Sequence, residues 1–170
     1  MTVSYDFSTD VAIITGAARG VGRAMVGAFV AAGCRVVAAD RDEAGLLETA
    51  KPYGASVRAV TADVSAEDGA EAIVDTAVRE FGSLSFCINN AAVAPHTSLL
   101  EETVRVWDTV FAVNCRGTFL MTQRAARVRS RSKQSQGRCR RGRGLLPDPP
   151  KPVQAPGLAR RSSSAWPSGA

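Results

Sequence analysis

The sequence predicts a protein of the α/β class, with a doubly wound parallel sheet that is followed by a basic segment. Short apolar runs alternate with segments of helical spacing up to about residue 123, which is typical of a parallel sheet covered by helices. A glycine-rich loop follows the first run. Lys and Arg number nine against fifteen acids up to Gln123, a net charge of −6, and twelve against one beyond it, a net charge of +11. This change predicts a boundary near residue 124.

Four apolar runs are the strand candidates. Val11–Thr15 (VAIIT) is continuous and apolar, as a strand buried on both faces requires. Arg35–Asp40 (RVVAAD) is the second, and the segment SVRAVTADV supplies a third strand that ends near Asp63. Leu84–Ile88 (LSFCI) is the fourth, and the sequence NNAA ends it.

The segments between these runs have the spacing of helices. The first, VGRAMVGAFVAA, precedes Gly33, which can close it as a left-handed residue. The second, DEAGLLETA, has acids in its first turn, where the helix dipole favours them. In the third, Ser65 stands three residues before Asp68 as an N-cap, and one face carries Ala70, Ile73, Ala77, Val78 and Phe81. Two further helices are predicted at about Glu101–Val113 and about Asn114–Val128.

This succession of strands and helices predicts a Rossmann-like sheet. Right-handed crossovers between parallel strands give the strand order 3-2-1-4. The expected organisation is a dinucleotide-binding domain over residues 1–123, whose last helix continues to about residue 130. A basic segment rich in Pro, Arg and Ser then covers residues 131–170.

The loop TGAARGVG lies between the first strand and the first helix and has the composition of a phosphate-binding loop. Gly16 permits a tight turn, Gly20 allows a ligand to approach the backbone closely, and Gly22 lets the helix pack against the strand. The start of the following helix offers free N–H groups and positive potential to a pyrophosphate.

Asp40 ends the second strand, 18 residues after Gly22. A carboxylate at this place can accept hydrogen bonds from the hydroxyls of an adenosine ribose, and it repels a 2′-phosphate. It therefore favours NAD over NADP. Arg41 and Arg19 act in the opposite direction, because either guanidinium can pair with that phosphate. A solvated strand end is the alternative interpretation of Asp40.

The region Val11–Gln123 resembles the N-terminal half of a short-chain dehydrogenase/reductase. The resemblance rests on TGAARGVG after the first strand, on the pair Asp63-Val64 after the third and on NNAA (Asn89–Ala92) after the fourth. The helix that follows contains NCRG, which corresponds to the family's N-V-x-G with Cys115 in place of valine. Ala92 likewise replaces the usual glycine of N-N-A-G.

The resemblance implies a family reaction in which a hydride passes between a nicotinamide cofactor and an alcohol or carbonyl substrate. Asn114 is the candidate catalytic residue, since in the family this asparagine helps to fix the main chain and a water of the proton relay. A helix-terminal or kink residue is its structural alternative. The candidate residues for NAD binding are Gly16, Arg19, Gly20, Val21, Gly22, Asp40, Arg41, Asp63, Val64, Asn90 and Ala91.

The sequence departs from the family at the proton-transfer residues, a tyrosine and a lysine four positions later. Its only tyrosines are Tyr5 and Tyr53, and Thr9 and Val57 stand four residues beyond them. A phenol with a pKa near 10 needs a nearby cation to exchange protons near neutral pH. We therefore expect a catalytically incomplete chain.

The family sheet also has more strands than the four predicted here, so the fourth strand should expose an edge. An exposed edge invites homo-oligomerisation, aggregation or pairing with another chain.

The basic segment contains six of the eight prolines and a single aromatic residue, Trp166. Such a composition predicts disorder beyond about Arg131. Three interpretations stay open: translation in a shifted reading frame of a G+C-rich gene, which we favour, a disordered segment without a partner, and an arm for nucleic acid or acidic partners. The absence of interleaved aromatic residues counts against nucleic acid binding.

Composition also bears on other kinds of site. The four cysteines are far apart in sequence and His96 is the only histidine, so we expect reduced thiols and no metal site. No apolar run approaches the ~20 residues that span a bilayer, and the N-terminal residues do not resemble a secretion signal. We therefore expect a cytoplasmic protein that does not bind membranes.

Overall fold

The sheet consists of β1 (Val11–Thr15), β2 (Arg35–Asp40), β3 (Val57–Thr61) and β4 (Phe86–Ile88). All pairs are parallel and the order is β3-β2-β1-β4, which confirms the predicted topology. The register places Ala12 beside Val36 on one side and beside Phe86 on the other. The computed structural model describes residues 6–96 and 98–140, with side chains as far as residue 130.

The helices are α1 (Gly20–Ala31), α2 (Glu43–Ala50), α3 (Glu67–Phe81), α4 (Val104–Val110) and α5 (Thr118–Arg140). A 3₁₀ segment, Lys51–Ser56, leads from α2 into β3. A π-helical segment, Phe111–Gly117, joins α4 to α5 without a break in helical backbone geometry.

Each face of the sheet is buried beneath a different pair of helices. Ile14 and Val36 pack with Val26 of α1 and Leu46 of α2. On the opposite face, neighbouring strand residues pack with α3 and α5, in a cluster that includes Val11, Ile13, Val37, Ile73, Leu120 and Met121. Full burial of one such aliphatic side chain contributes about 1.5–3 kcal/mol. The continuous apolar runs of β1 and β2 are thus explained by burial on both faces.

The end of α1 confirms the role predicted for Gly33, which has φ +90°. The N–H of Gly33 donates to the carbonyl of Val30 at 2.9 Å, and the N–H of Cys34 donates to that of Phe29 at 2.9 Å. This pair of bonds is a Schellman motif, which satisfies the last carbonyls of the helix and turns the chain into β2.

Two of the strands are shorter than predicted. β3 ends at Thr61 rather than near Asp63, because its partner β2 ends at Asp40 and Ala62 makes the last bond to it, at 3.0 Å. β4 begins at Phe86 rather than Leu84. Ser85 still donates its N–H to the carbonyl of Val11 at 2.8 Å. Hydrogen bonding to β1 therefore begins one residue before β4.

Two predictions for α3 were wrong. Ser65 is not the N-cap, which is Ala66; the Ser65 hydroxyl is directed at Asp63 Oδ1, to which it donates at 2.7 Å. Val78 is 40% exposed, whereas Ala70, Ile73, Ala77 and Phe81 are buried as predicted and Val74 joins them. At 100° per residue Val78 lies at the border of the buried stripe, where solvent reaches it.

The two helices predicted after β4 form a single helical run instead. α4 begins at Val104 rather than near Glu101, because Thr103 caps it by accepting a hydrogen bond from the N–H of Val106. α5 continues to Arg140, past the end expected near residue 130. The segment 124–140 contains no proline and six Arg residues, whose helix propensity is high. The disorder predicted beyond about Arg131 is therefore wrong for residues 131–140, which belong to α5; residues 141–170, to which the same prediction applies, lie outside the described residues.

Candidate cofactor site

The glycine loop lies against the end of β4, and its shape depends on two missing side chains. Gly16 has φ +68°, and a Cβ on it would come within 2.9 Å of both Asn90 Nδ2 and the Cα of Ala91. A Cβ on Gly22, in the first turn of α1, would overlap the carbonyl oxygen of Gly16. These glycines therefore let α1 begin directly beside the ends of β1 and β4, as the sequence predicts.

Thr15 and Asn90 fasten the loop to β4. The Thr15 hydroxyl accepts hydrogen bonds from the N–H groups of Asn90 and Ala91, each at 3.0 Å, and donates to the carbonyl of Ile88 at 3.2 Å. The amide nitrogen of Asn90 donates in return to the carbonyls of Thr15 at 2.9 Å and Gly16 at 3.2 Å. Asn90 was predicted as a site residue, but the part played by Thr15 was not.

Asp40 holds the other side of the glycine loop. One carboxylate oxygen accepts from the N–H of Ala18 at 2.9 Å, and the other accepts from the N–H of Asp42 at 3.0 Å. The N–H of Ala17 also donates to the carbonyl of Ala39 at 3.1 Å. A carboxylate oxygen has lone pairs for more than one donor, so Asp40 can hold the loop and still accept from a ligand hydroxyl.

Asp63 and Val64 follow β3 and have different surroundings. Asp63 Oδ1 accepts from the N–H of Ser65 at 2.8 Å and from its hydroxyl at 2.7 Å. These bonds, with smaller contributions from the Arg41 and Arg116 cations, lower the pKa of the Asp63 carboxyl. Val64 is buried and lies against Gly117. A Cβ added to Gly117 would come within 2.9 Å of a methyl carbon of Val64.

Ser65→Ala is expected to raise the pKa of Asp63 toward the ordinary value of about 3.9, because the carboxylate loses its hydroxyl donor. A carboxyl group whose pKa is lowered by folding stabilises the folded chain above its unfolded pKa. That contribution disappears as the pH falls through the folded pKa. A carboxyl ¹³C NMR titration measures the shift. Ser83→Ala should leave the Asp63 titration unchanged, and an unaltered curve for Ser65→Ala would refute the assignment.

Asn114 lies in the π-helical segment, half-buried, with its side chain directed at the loop after β4. Its Oδ1 accepts from the N–H of Val93 at 2.9 Å, and its Nδ2 donates to the carbonyl of Val93 at 3.0 Å. Single π-helical turns are frequent at functional sites. Asn114 thus lies in a π-helical turn and holds the main chain at Val93 by two hydrogen bonds, while its part in the proton relay stays a prediction.

A cavity of about 310 Å³ lies at the carboxyl ends of the strands, where ligands bind in open α/β sheets. It is lined by all the residues predicted to bind the cofactor: Gly16, Arg19, Gly20, Val21, Gly22, Asp40, Arg41, Asp63, Val64, Asn90 and Ala91. The lining residues that sequence reasoning missed are Ala39, Ala62, Ala92, Val93 and Val113. Asn114 does not line the cavity itself. It is hydrogen-bonded to the main chain of Val93, which does.

Arg23 is a further residue that sequence reasoning missed. Its guanidinium donates to the carbonyl of Ala18 at 2.6 Å and to the carbonyl of Gly45 at 3.1 Å. Its Nε donates to the hydroxyl of buried Thr49 at 2.8 Å. Arg23 therefore ties the glycine loop to α2. Its place in the first turn of α1, where a cation opposes the helix dipole, was the available indication of a special role.

The donor set around the cavity suits a dinucleotide. The first N–H groups of a helix have no intrahelical partners, and α1 begins at the cavity wall with no acidic residue in its first turn. Gly20 has φ +56° and open space where a Cβ would stand, so the backbone there can be approached closely. Arg19 and Arg41 add positive charge for a pyrophosphate, while Asp40 and Asp63 supply acceptors for hydroxyl or amino groups.

The described part of the chain contains no cluster of three or more His, Cys, Asp or Glu side chains that could hold a metal ion. Within the same part of the chain, no helix combines the length and the apolar character needed to cross a bilayer.

Comparison with known proteins identifies the family. The profile of the family described as short chain dehydrogenase matches residues 10–139. The chain is 34% identical over 128 residues to D-threitol dehydrogenase of Mycolicibacterium smegmatis, covering 72% of this chain and 49% of that one. It is 36% identical over 117 residues to sorbitol dehydrogenase of Cereibacter sphaeroides, covering 69% and 46%. The chain thus spans about half the length of the curated relatives it matches.

Comparison with solved structures leads to the same family. The fold is similar to that of a short-chain glucose/ribitol dehydrogenase from Brucella melitensis, with a TM-score of 0.72 and 29% identity, covering 74% of this chain and 55% of that one. It is also similar to a 3-ketoacyl-(acyl-carrier-protein) reductase from the same organism in complex with NADH, with a TM-score of 0.68 and 35% identity over 70% and 50% of the chains. The chain therefore belongs to the short-chain dehydrogenase family and has the NAD(P)-binding Rossmann fold of these oxidoreductases.

Proposed function

We propose that this chain binds NAD in the cavity at the carboxyl ends of the strands and does not by itself complete the family's hydride transfer. The observation that carries the proposal is one cavity that all the residues predicted to bind the cofactor line together. The pyrophosphate would bind the N–H groups at the start of α1, between Arg19 and Gly22. The adenosine would lie between Asp40 and the Asp63-Val64 pair.

NAD is preferred over NADP because of Asp40. Its carboxylate is fixed by the N–H groups of Ala18 and Asp42, so it cannot turn away from a 2′-phosphate without breaking these bonds. Repulsion between like charges held close together disfavours the 2′-phosphate, and at a solvent-accessible site about 1.4 kcal/mol of it corresponds to a tenfold preference. Arg19 and Arg41 are exposed on the cavity rim, where water screens their attraction for the phosphate. The NADH complex of the B. melitensis reductase supports the same choice.

The missing proton-transfer pair supports the second part of the proposal. Tyr53 packs among the buried residues beneath α1 and α2, on the face opposite Asn114, and no lysine stands four residues after it. Tyr5 lies outside the described residues. Of the family's reactive set the chain retains only Asn114, which positions the main chain at Val93. Within the described part of the chain, the cavity therefore has groups to hold a dinucleotide but no phenol and ammonium pair to move the proton of an alcohol.

Calorimetric titration of the full chain with NAD and with NADP tests the proposal. We expect saturable NAD binding with a dissociation constant on the order of 0.1–1 mM, because the chain has no lysine four residues after a tyrosine to hold the nicotinamide half of the cofactor. NADP should bind more weakly. No binding of either dinucleotide at millimolar concentration would contradict the proposal. Oxidation of threitol or sorbitol with NAD at rates typical of an enzyme would contradict its second part.

Asp40→Asn is expected to lower the preference for NAD over NADP by about tenfold, because the amide keeps an acceptor but carries no charge to repel a 2′-phosphate. The ratio of the two dissociation constants measures this preference and is insensitive to the amount of folded protein. Asp42→Asn is the matched control, since Asp42 caps α2 and does not line the cavity. An unchanged ratio in Asp40→Asn would remove Asp40 from cofactor selection.

A further inference from the structure

Arg23 stands in the first turn of α1 and connects the glycine loop to α2 without lining the cavity. Its Nε and one terminal guanidinium nitrogen both donate to the carbonyl oxygen of Ala18, at 3.1 and 2.6 Å. The same terminal nitrogen donates to the carbonyl of Gly45 at 3.1 Å, and Nε donates to the hydroxyl of Thr49 at 2.8 Å. A cation in the first turn opposes the helix dipole, and these acceptors compensate for that cost.

The bonds of Arg23 complete a closed ring of hydrogen bonds beside the cavity. The N–H of Ala18 donates to Asp40 Oδ2 at 2.9 Å, and the other carboxylate oxygen of Asp40 accepts from the N–H of Asp42 at 3.0 Å. The carboxylate of Asp42 in turn accepts from the N–H of Gly45 at 3.1 Å. Arg23 closes the ring by donating to the carbonyls of Gly45 and Ala18. We call these five residues the Asp40 ring, after the member that lines the cavity.

The Asp40 ring leaves little room for its members to move separately. Ala18 is buried. A Cβ added to Gly45 would come within 2.7 Å of Asp42 Oδ2 and within 3.2 Å of the Ala18 carbonyl oxygen, so the backbone of α2 lies directly against the glycine loop. The hydroxyl of Thr49, which is also buried, donates to the Gly45 carbonyl at 2.9 Å. Arg23 therefore holds the Ala18 carbonyl against a firmly packed part of α2.

Ala18 transmits this restraint to Asp40. Its carbonyl accepts from Arg23 and its N–H donates to Asp40 Oδ2, so these bonds restrain both backbone dihedrals of Ala18. Without the guanidinium, the carbonyl would keep a contact of 3.4 Å with the Thr49 hydroxyl, which already donates to Gly45. A freed Ala18 would let its N–H turn away from Asp40. The carboxylate would then reach rotamers that the Asp40 ring now excludes.

We propose that Arg23 is a positioning residue for cofactor selection, which keeps the Asp40 carboxylate directed at the 2′ position of the adenosine ribose. In the proposed function, on which this inference rests, Asp40 repels a 2′-phosphate and accepts from ribose hydroxyls. A carboxylate that is free to turn relieves the repulsion and loses the hydroxyl bonds. Loss of Arg23 should therefore weaken NAD binding more than NADP binding. A direct attraction of the Arg23 charge for the 2′-phosphate would have the opposite effect.

Arg23→Met removes the donors and keeps most of the length of the side chain. Calorimetric titration of the full chain with NAD and with NADP gives the ratio of the two dissociation constants. We expect the preference for NAD to fall by about threefold to fivefold, which is less than the effect of removing the Asp40 charge itself. Arg23→Lys keeps the charge but has no planar fork to join two carbonyls. It should shift the ratio in the same direction, and it replaces Arg23→Met if that variant does not fold.

Arg58→Met is the matched control. Arg58 is 39% exposed, against 44% for Arg23, and it likewise donates to two backbone carbonyls and a carboxylate. It neither lines the cavity nor belongs to the Asp40 ring, so its loss should leave the ratio unchanged. An unchanged ratio in Arg23→Met, a shift toward NAD, or equal shifts in the two variants would overturn the proposal.

The double variant Arg23→Met with Asp40→Asn tests whether Arg23 acts through Asp40. If it does, the two effects are not additive, and the double variant should have the same ratio as Asp40→Asn alone. Effects that multiply would show that Arg23 selects the cofactor by another route and would overturn the proposal.

Amide hydrogen exchange in the chain without a dinucleotide separates this inference from the proposed function. The N–H of Ala18 should exchange about tenfold faster in Arg23→Met than in Arg58→Met, because Ala18 is no longer held in place. Equal exchange rates would contradict the restraint, and with it the role of Arg23, whether or not NAD binds. Failure of the parent chain to bind either dinucleotide would contradict the proposed function. Faster exchange with an unchanged ratio would contradict the part of Arg23 in selection alone.

Discussion

Thr15→Val is expected to lower the free energy of unfolding by about 2–4 kcal/mol, because two backbone N–H groups lose their acceptor and each buried unsatisfied group costs about 1–3 kcal/mol. Valine has nearly the shape of threonine, so the substitution tests the hydroxyl and not the volume. The same hydroxyl joins the end of β1 to the end of β4 through Asn90, Ala91 and Ile88. NAD binding should therefore be lost together with stability.

Thr76→Val is the matched control for this experiment. Thr76 is also buried, but its hydroxyl donates at 2.8 Å to the carbonyl of Ala72 within the same helix. That carbonyl keeps its bond from the helix backbone, so the loss should be within about 0.5 kcal/mol. Urea denaturation followed by circular dichroism compares the two variants. Equal losses would show that the Thr15 hydroxyl has no special role in joining the strands.

The strand order and the glycine loop could be predicted because each depends on a local pattern. The runs around Val11 and Val36 are continuously apolar, short and rich in Val and Ile, which favours strands covered by helices on both faces. Gly16, Gly20 and Gly22 stand at the one place where a strand must turn into a helix with its N–H groups open. Right-handed crossover then determines the topology without knowledge of any side-chain contact.

The role of Thr15 could not be predicted because its partners are distant in sequence. Within VAIIT a threonine is a β-branched residue like its neighbours, and nothing nearby indicates that its hydroxyl accepts from Asn90 and Ala91. For Arg23 the first turn of α1 gave an indication of a special role, but its bond to Gly45 in α2 could not be predicted for the same reason. Hydrogen bonds between elements depend on the assembled geometry, which periodicity does not describe.

The predictions for Ser65 and for the last two helices failed through competition between local interactions. Ser65 has the spacing of an N-cap, but its side chain is directed back at the carboxylate of Asp63, to which its hydroxyl donates. A boundary between two helices was predicted at Asn114. The helix is irregular there, but it does not end. The helix passes through it by widening into a π-helical segment, which turns the Asn114 side chain toward Val93.

Gly22→Ala is expected to weaken NAD binding by about 100-fold, since displacement of a binding loop by ~1 Å commonly has effects of that size. The added Cβ would overlap the carbonyl oxygen of Gly16 and lie 2.8 Å from Asn90 Nδ2. Overlap with backbone cannot be relieved by rotating a side chain, so the loop or α1 must move. We expect a loss of about 1–3 kcal/mol in the free energy of unfolding.

Gly82→Ala separates these two effects, because it should destabilise the fold without touching the cavity. Gly82 ends α3 with φ +76° and has nothing within 4 Å of an added Cβ. Alanine in this left-handed conformation costs about 1 kcal/mol, and NAD should bind the folded variant as it binds the parent chain. If Gly22→Ala also bound NAD normally once folded, close packing of α1 against the loop would not be what forms the site. The pyrophosphate would then have to be held by groups other than the start of α1.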